Sequence, residues 1–366
     1  MKVNIKKLSE LSGFSPATIS NALHNKRGVS RETAEAVLKL ARENGYLSKN
    51  TIKNIKLVTY SDSGEVFSDS PFFSVLMESI ENEGRKSGYD TTIFNLYRRK
   101  PDYEQKLQQI LSDTSSAILL MGTELNEEDA RGFLDSPVPL VLLDCWFDNL
   151  SFNAVLMNNE DSVAQAVNYL VSQGHTQIGY LRGSVRIRNF ISRGRGYRRA
   201  LELHGLPLEE KFVLDLRPSI AGAYHEMNRI LQEGREIPTA FIADNDMIAL
   251  GAMQALQKNG YRIPEDISII GFDDISFCEV FLPHLTTVSV HKKEMGRLAV
   301  RQLIKLIKNP STVKVKTEIC NELAIRGSVA APRSEDKTLP LRQVRNVMAE
   351  TLEETGQALN PAERPF

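Results

Sequence analysis

The stretch SPATISNALHNK, residues 15–26, combines small hydroxyl, amide and methyl side chains with positive charges beside them. Ser and Thr can contact several base edges, Asn can bond adenine through two hydrogen bonds, and an Ala methyl can meet the methyl of thymine. Nearby cations would contact phosphates and fix position without reading sequence; they are Lys6, Lys7, Lys26, Arg27 and Arg31. The stretch favours DNA reading by Ala17, Thr18, Ser20 and Asn21, with a protein-binding three-helix bundle as the alternative.

A second set of polar residues follows short apolar runs further along the chain: Asp62, Asp144, Arg182, Asn245, Asp246, Asp273 and Asp274. Many acceptors with a few Arg donors suit a polyhydroxylated ligand, since hydrogen bonds to charged groups contribute roughly 1.5 to 3 kcal/mol each. Phe72 and Phe73 follow the first run, where an aromatic face could cover the apolar side of a sugar ring. Core packing is the alternative for the two Phe residues, and helix capping is the alternative for each aspartate.

Catalytic motifs are absent from the sequence. Six histidines are scattered without a Ser/His/Asp elbow, an HExxH or a Walker A motif, and the GxG of Gly194 and Gly196 lies in a helix-like stretch. Asp273 and Asp274 are adjacent on a predicted strand end and should point in opposite directions, which suits an acid/base pair poorly. We therefore predict no enzyme activity and no cofactor. The cysteines Cys145, Cys278 and Cys320 lack metal-binding spacing, and we expect buried, reduced thiols.

Short helices in a basic segment are expected to position the stretch of residues 15–26. Residues 1–56 hold eleven Lys or Arg against four Asp or Glu, a net charge of +7, which leaves −8 for the remainder. Apolar spacing at Ile5, Leu8 and Leu11 predicts a helix ending at Gly13, and Ser15-Pro16 is a helix start. A third helix should run from Ser30 to Asn44-Gly45. We predict a helix-turn-helix DNA-binding domain over residues 1–47.

Beyond residue 56, apolar runs such as IKLVTY, SAILLMG, IGYLRG, TAFIADN and ISIIGFDD alternate with amphipathic stretches. Helices are expected from Asp102, from Glu160 to Gln173, near 195–204 and from Asp246 to Asn259. This alternation predicts βα units in two lobes with parallel sheets, and ligands bind beyond the carboxyl ends of such strands. No apolar run reaches eighteen residues and no export signal begins the chain, so we expect a cytoplasmic protein without a membrane partner.

Several long motifs in order resemble the LacI/GalR-type transcriptional regulators: VNIKKLSELSGFSPATISNAL, RGVSRETAEAVLKLARENGY, TAFIADNDMIALGAMQALQKNGYRIPEDISIIGFDD, PHLTTVSV and MGRLAV. The resemblance spans residues 2 to about 328. It implies an all-α helix-turn-helix headpiece followed by an α/β core of two Rossmann-like, parallel-sheet lobes of periplasmic-binding-protein type. It also implies a homodimer on near-palindromic operator DNA, controlled by a small-molecule effector that is most often a sugar.

The resemblance also assigns residues. The family's base-reading pair falls on Pro16 and Ala17, and Asn21 stands where the family often has Arg, so the preferred bases should differ. The expected DNA-binding set is Lys6, Ser15, Pro16, Ala17, Thr18, Ser20, Asn21, Asn25, Lys26 and Arg27. The expected effector-binding set is Phe72, Phe73, Asp144, Asn189, Arg193, Asn245 and Asp273, with Arg217 as a weaker candidate.

The linker departs from the family pattern. We expect a short linker at 48–55, where Ser48 replaces the family's proline and the hinge helix with Ala-Arg-x-Leu is missing. The segment is shorter by roughly eight residues, which puts in doubt the usual wedging of a leucine into the minor groove. Lys49, Lys53 and Lys56 could still bind phosphate.

The remaining boundaries concern the core and the tail. We expect the effector-binding and dimerisation core at 56–330, with lobe one at about 56–157 and 286–316 and lobe two at about 158–285 and 317–330. The extension 331–366 carries Leu341, Val344, Met348 and Leu352 at helical spacing. That stripe could join subunits into a tetramer or fold back on its own core.

Overall fold

The computed structural model describes residues 4–23, 28–44, 52–67 and 70–333. Three short helices come first: α1 (Ile5–Ser12), α2 (Pro16–Leu23) and α3 (Arg31–Glu43). They enclose a small apolar core of Leu8, Ile19, Ala22, Leu23, Val37 and Ala41. The predicted three-helix headpiece is thereby confirmed. Leu11, which we expected on the apolar face of α1, is instead 48% exposed because it lies on the solvent side of the helix.

The turn between α1 and α2 follows the capping signals in the sequence. Gly13 ends α1 in a left-handed conformation with φ 73°, which favours glycine because a Cβ would be strained there. The Ser15 hydroxyl oxygen accepts the backbone N–H of Thr18 at 3.1 Å, and Pro16 is the first residue of α2. Ser9 donates its hydroxyl to the Phe14 carbonyl at 2.6 Å and so closes the turn.

The first lobe begins with β1 (Asn54–Ser61), α4 (Pro71–Lys86), β2 (Asp90–Tyr97), α5 (Tyr103–Ser112), β3 (Ser116–Met121), α6 (Glu127–Arg131), β4 (Leu140–Leu143) and β5 (Ala154–Met157). The second lobe follows with α7 (Asn159–Ser172), β6 (Ile178–Gly183), α8 (Arg188–Leu203), β7 (Val213–Leu216), α9 (Ile220–Gln232), β8 (Ala240–Ala243), α10 (Asp246–Lys258) and β9 (Ser268–Asp273). The last elements are β10 (Thr286–Ser289), α11 (Lys292–Lys308), β11 (Lys316–Ile319) and β12 (Glu322–Ala324).

Two six-stranded sheets result, in the orders β11-β5-β4-β3-β1-β2 and β12-β10-β9-β8-β6-β7. Every pairing is parallel except that of β10 with β12. The residues of β3 and β4 are buried throughout, as expected for parallel strands covered on both faces. The chain crosses between the lobes after β5, after β10 and after β11, so the predicted two-lobe α/β fold is confirmed.

Three details differ from the expectations. Thr286–Ser289 pair with β9 in the second sheet, so the crossing to lobe one comes after residue 289 and β11 belongs to lobe one. The strand TTVS suits either sheet, and only its pairing partner decides. The helix expected near 195–204 begins at Arg188, where no side chain caps it. Cys320 is exposed because it lies in the crossover after β11, whereas Cys145 and Cys278 are buried.

Contacts between the lobes are apolar as well as polar. Val66 of lobe one packs with Ile187 and Phe190 of lobe two in a separate small cluster. This cluster lies beside the carboxyl ends of the strands, where we predict the ligand site. Within the described ranges, none of the helices is long and apolar enough to cross a membrane.

Candidate functional site

One cavity between the lobes is lined by all seven residues of the expected effector-binding set: Phe72, Phe73, Asp144, Asn189, Arg193, Asn245 and Asp273. These residues come from sequence positions 72 to 273, and the fold brings them to the facing carboxyl ends of the two sheets. The cavity has about 20 Å³ of free space, enough for about one water molecule. A larger ligand therefore requires the lobes to separate.

Two aspartates are presented to the cavity by unusual backbone. Asp144 directly follows β4 with φ 62°, and Asp273 ends β9 with φ 117°. Positive φ is uncommon for residues other than glycine, and Asp and Asn are enriched among the exceptions. Each backbone bends at the strand end and carries its carboxylate into the gap between the lobes. Strain of this kind persists where the surrounding structure fixes it, commonly at ligand sites.

Asn189 and Arg193 stand four residues apart and share the inward face of α8. Arg193 donates Nε to Asn159 Oδ1 at 2.9 Å and Nη1 to the Asp244 carbonyl. Its Nη2 lies 3.6 Å from Asp273 Oδ1, and its guanidinium covers the Phe272 ring at 3.6 Å from the centroid. Arg193, the one cation that lines this cavity among the described residues, is thus held by its own neighbours.

Asp144 connects the lobes. Its carboxylate accepts Thr123 Oγ1 at 2.5 Å and Asn189 Nδ2 at 2.9 Å, and Asn189 also donates to the Asp144 carbonyl at 3.1 Å. Burial raises the pKa of Asp144 to about 6, although the Thr123 hydrogen bond and the Arg193 charge oppose the shift. Burial likewise raises the pKa of Asp273, against the lowering effect of Arg193.

Phe72, Phe73 and Asn245 serve the fold and the cavity together. Both rings are buried in the core, where they meet edge to face at 5.2 Å, and Phe73 stacks on Phe67 at 4.0 Å. Asn245 caps α10 by accepting the N–H of Ile248 at 3.0 Å. The packing alternative therefore holds for the two Phe residues, Asn245 caps a helix, and all three also line the cavity.

The other polar strand-end residues do not line the cavity. Asp62 pairs with Arg99 at 3.1 Å, and Arg182 pairs with Asp215 at 2.6 Å. The weaker candidate Arg217 lies 3.5 Å from Glu226 and also stays outside.

Two further strand-end carboxylates are structural. Asp246 is buried and accepts Thr287 Oγ1 at 2.5 Å and the N–H of Ile275 at 3.0 Å. Asp274 accepts Ser289 Oγ at 2.7 Å and binds Arg326 at 2.7 Å, away from Asp273. The expected divergence of the two adjacent aspartates is confirmed. In the described part of the chain, no three His, Cys, Asp or Glu side chains converge as a metal site.

Sequence reasoning missed some residues of the site. Thr123 and Asn159 follow β3 and β5, so the strand-end rule that selected Asp144 applies to them as well. Ile187 and Phe190 flank the start of α8, which we placed too late in the chain. Met157 ends β5 and contributes its sulfur at 3.2 Å from Arg193 Nη2.

The residues that we expect to read DNA bases lie on α2. Ala17, Ser20 and Asn21 share one face of the helix, opposite the buried Ile19 and Leu23. Pro16, Ala17 and Lys6 are exposed, and Thr18, Ser20 and Asn21 are half-buried.

Other expected DNA contacts have different outcomes. Ser15 uses its hydroxyl to cap α2 and to bond the Thr18 hydroxyl at 2.9 Å. The predicted phosphate contact by Lys56 is wrong: this residue lies within β1, and its Nζ is 2.8 Å from Asp113. Lys53 is exposed. Outside the described residues lie Asn25, Lys26, Arg27, Ser48, Lys49 and the apolar stripe of 341–352.

Comparisons with known proteins agree with this architecture. A periplasmic binding protein-like domain profile matches residues 167–329. The HTH-type transcriptional repressor PurR of Vibrio atlanticus is 32% identical over 332 residues, covering 89% of this chain and 98% of that protein. PurR of Haemophilus influenzae is 30% identical with the same coverage.

Solved structures share the fold. The transcriptional regulator CelR in complex with cellobiose has a TM-score of 0.68 at 23% identity, covering 89% of this chain and 100% of that one. The lac repressor dimer bound to operator and the anti-inducer ONPF has a TM-score of 0.67 at 23% identity, covering 90% and 100%. The chain belongs to the LacI/GalR-type family of transcriptional regulators. Its relatives are regulators and not enzymes.

Proposed function

We propose that the protein is a cytoplasmic transcriptional repressor that binds near-palindromic operator DNA as a homodimer, with a small-molecule effector controlling its affinity. The observation that carries this proposal is the convergence of seven polar and aromatic side chains from both lobes on one cavity. The three-helix headpiece on the same chain would bind the operator DNA, and the effector would control that binding.

Different residues of the headpiece would contact the bases and the phosphates of the DNA. Pro16, Ala17, Ser20 and Asn21 would face base edges at the start of α2, and Thr18 would stand beside them. Lys6 would contact a phosphate and fix the register of the helix in the major groove. Asn21 in place of the family's frequent Arg favours an adenine at the position that it reads.

The cavity favours a small polyhydroxylated effector, a sugar or sugar derivative. Asp144 and Asp273 offer acceptors for hydroxyls, Arg193 offers donors, and Phe72 offers an apolar wall. An effector would exchange its own hydroxyls for the Asn189 hydrogen bonds that now join Asp144 to the second lobe. Because those bonds cross between the lobes, replacing them changes lobe spacing, and coupling to DNA is expected at about 1 to 3 kcal/mol.

The first experiment recovers fragments of sheared genomic DNA that bind the purified full-length protein at moderate salt, and sequences them. An enriched palindrome is expected, and neighbouring genes then nominate effectors for titration against that site. Binding spread over all fragments, with no shared sequence even after addition of a broad sugar panel, would contradict the proposal.

A further inference from the structure

The amino edge of the first sheet is where the headpiece is attached. β1 begins there at Asn54, and helices α4 and α11 end there because each runs from the carboxyl ends of the strands back to the strand starts. The two helices lie side by side in the same direction, since Ser79 Oγ donates to the Lys293 carbonyl at 2.6 Å and Arg301 binds Glu83 at 2.7 Å. The contacts relate residues 214 to 218 positions apart, so the end of α4 lies beside residues 300–304 of α11, about one to two turns before that helix ends.

The linker keeps this edge close to any DNA that the headpiece binds. Residues 45–51 connect Asn44 to Ile52, and the eight Cα–Cα steps between those two residues span at most about 28 Å when fully extended. A duplex held by α2 and α3 therefore lies within reach of the edge.

Five exposed lysines occupy the edge: Lys53, Lys86, Lys305, Lys308 and Lys314. None of them has a carboxylate of the described residues within ion-pair distance. Residues 305–316 contain four lysines and no carboxylate. The exposed arginines of the same two helices are paired, as Arg85 is with Glu81 at 2.9 Å. Lys293, at the other end of α11, is exposed and also has no carboxylate of the described residues within ion-pair distance. The exposed Asp90 and Asp135 offset only part of the edge's positive charge.

We infer that this lysine edge contacts the phosphate backbone of operator DNA, adding an affinity surface on the core to the one on the headpiece. The inference rests on the DNA binding proposed above. Lysines suit the task because they neutralise phosphates without reading bases. The edge lysines have no carboxylate partner among the described residues and lie where the headpiece is attached, although residues 57–366 together carry a net charge of −8.

The test uses the full-length protein with Lys305, Lys308 and Lys314 changed to Gln. Its matched control carries Lys211→Gln, Arg235→Gln and Lys258→Gln, which remove the same charge from the amino edge of the second sheet, at the opposite end of the molecule. Affinity for one labelled random-sequence duplex of about 40 base pairs is measured between about 50 and 200 mM salt. The logarithm of the binding constant falls linearly with the logarithm of the salt concentration, and each phosphate that the protein neutralises steepens this salt slope by about 0.9.

The salt slope of the edge variant should be shallower than that of the wild type by at least about 2 per dimer. At the lowest salt concentration the edge variant should bind the duplex about tenfold more weakly than the wild type. The control should match the wild type, which separates contact from a general change in net charge. The unfolding midpoint of the edge variant should equal that of the wild type because all three edge lysines are exposed. The control loses the ion pairs of Lys211 and Arg235 with Glu209, Glu236 and Glu233, so its midpoint is measured as well and DNA affinities are compared only where both variants are folded. If the wild type binds the duplex and the edge variant shows the same salt slope, the inference is wrong. A wild type that binds no duplex overturns the proposed function itself.

Discussion

Strained aspartates define the candidate effector site at the residue scale. Asp144, Asp273 and Asp274 are the non-glycine residues with positive φ among those described, and all three stand at strand ends beside the cleft. Two of them face the cavity and one stabilises the turn through Arg326. Buried carboxylates with raised pKa values at such positions are typical of binding sites. These buried and strained aspartates therefore lower the stability of the fold at positions suited to binding a ligand.

The first prediction concerns Asp144→Asn. The wild-type carboxyl has a pKa of about 6 when folded against an ordinary value of 3.8, so folding favours its protonated form. This contribution is fully present below about pH 4 and is lost as pH rises through 6. Asn imitates the neutral form and tolerates the backbone of residue 144. From pH 4 to 7 the variant should gain about 2 to 3 kcal/mol of unfolding free energy relative to the wild type.

Urea unfolding across this pH range checks the prediction. The exposed Asp135→Asn is the control and should show no such divergence. Parallel stability curves for wild type and Asp144→Asn would show that the buried carboxylate does not hold its proton more tightly in the folded state.

The second prediction concerns Asp273→Asn. The substitution keeps the shape of the side chain at φ 117° but removes the charge facing Arg193. Affinity for the effector found in the sugar panel should fall by more than tenfold, because a charged acceptor is replaced by a neutral one. Ligand-free operator affinity, measured by anisotropy, should remain within twofold of the wild type. Joint loss of both affinities would assign Asp273 to the architecture instead.

Local signals succeeded at the element scale where one residue type decides a boundary. Ser15-Pro16 predicted the start of α2, and Asn245-Asp246 the start of α10, because caps and N1 positions have strong local preferences. The seven cavity residues were also predicted: Asp144, Asn245 and Asp273 from polar positions after apolar runs, Phe72 and Phe73 as aromatics after the first run, and Asn189 and Arg193 from the family resemblance alone. Sheet membership of β10 and the start of α8 were wrong, since both depend on contacts between residues far apart in sequence.

The third prediction belongs to the recognition helix. Asn21→Ala on the exposed face of α2 should lower affinity for the selected operator by about 1 to 3 kcal/mol, with a smaller loss on random DNA. Lys6→Gln should weaken both about equally and reduce the salt slope by about 1 per subunit, or about 2 per dimer. Competition binding with operator and random duplexes measures both. An equal loss for Asn21→Ala on both duplexes would assign that residue to the phosphate backbone.

The whole molecule is held closed by its own side chains. Asn189 bonds Asp144 across the gap, Arg188 lies 3.2 Å from Glu127, and Val66 packs on Ile187 and Phe190. The Arg188–Glu127 pair is half-buried and still reached by solvent, so it contributes about 1 kcal/mol, whereas an unsatisfied buried partner of Asn189 would cost about 1 to 3 kcal/mol. The buried amide is therefore a stronger connection between the lobes than the Arg188–Glu127 pair.

The fourth prediction follows from that comparison. Asn189→Ala leaves the Asp144 carboxylate without its donor from the second lobe, so the open arrangement of the lobes should gain population by about 5- to 150-fold. Small-angle scattering of the ligand-free protein should show a larger radius of gyration than for the wild type. Asn168→Ala, which removes a surface bond to His204 within the second lobe, should leave that radius unchanged. An unchanged radius for Asn189→Ala would mean that the apolar cluster of Val66, Ile187 and Phe190 suffices to keep the lobes together, and the effector would then have to act on that cluster.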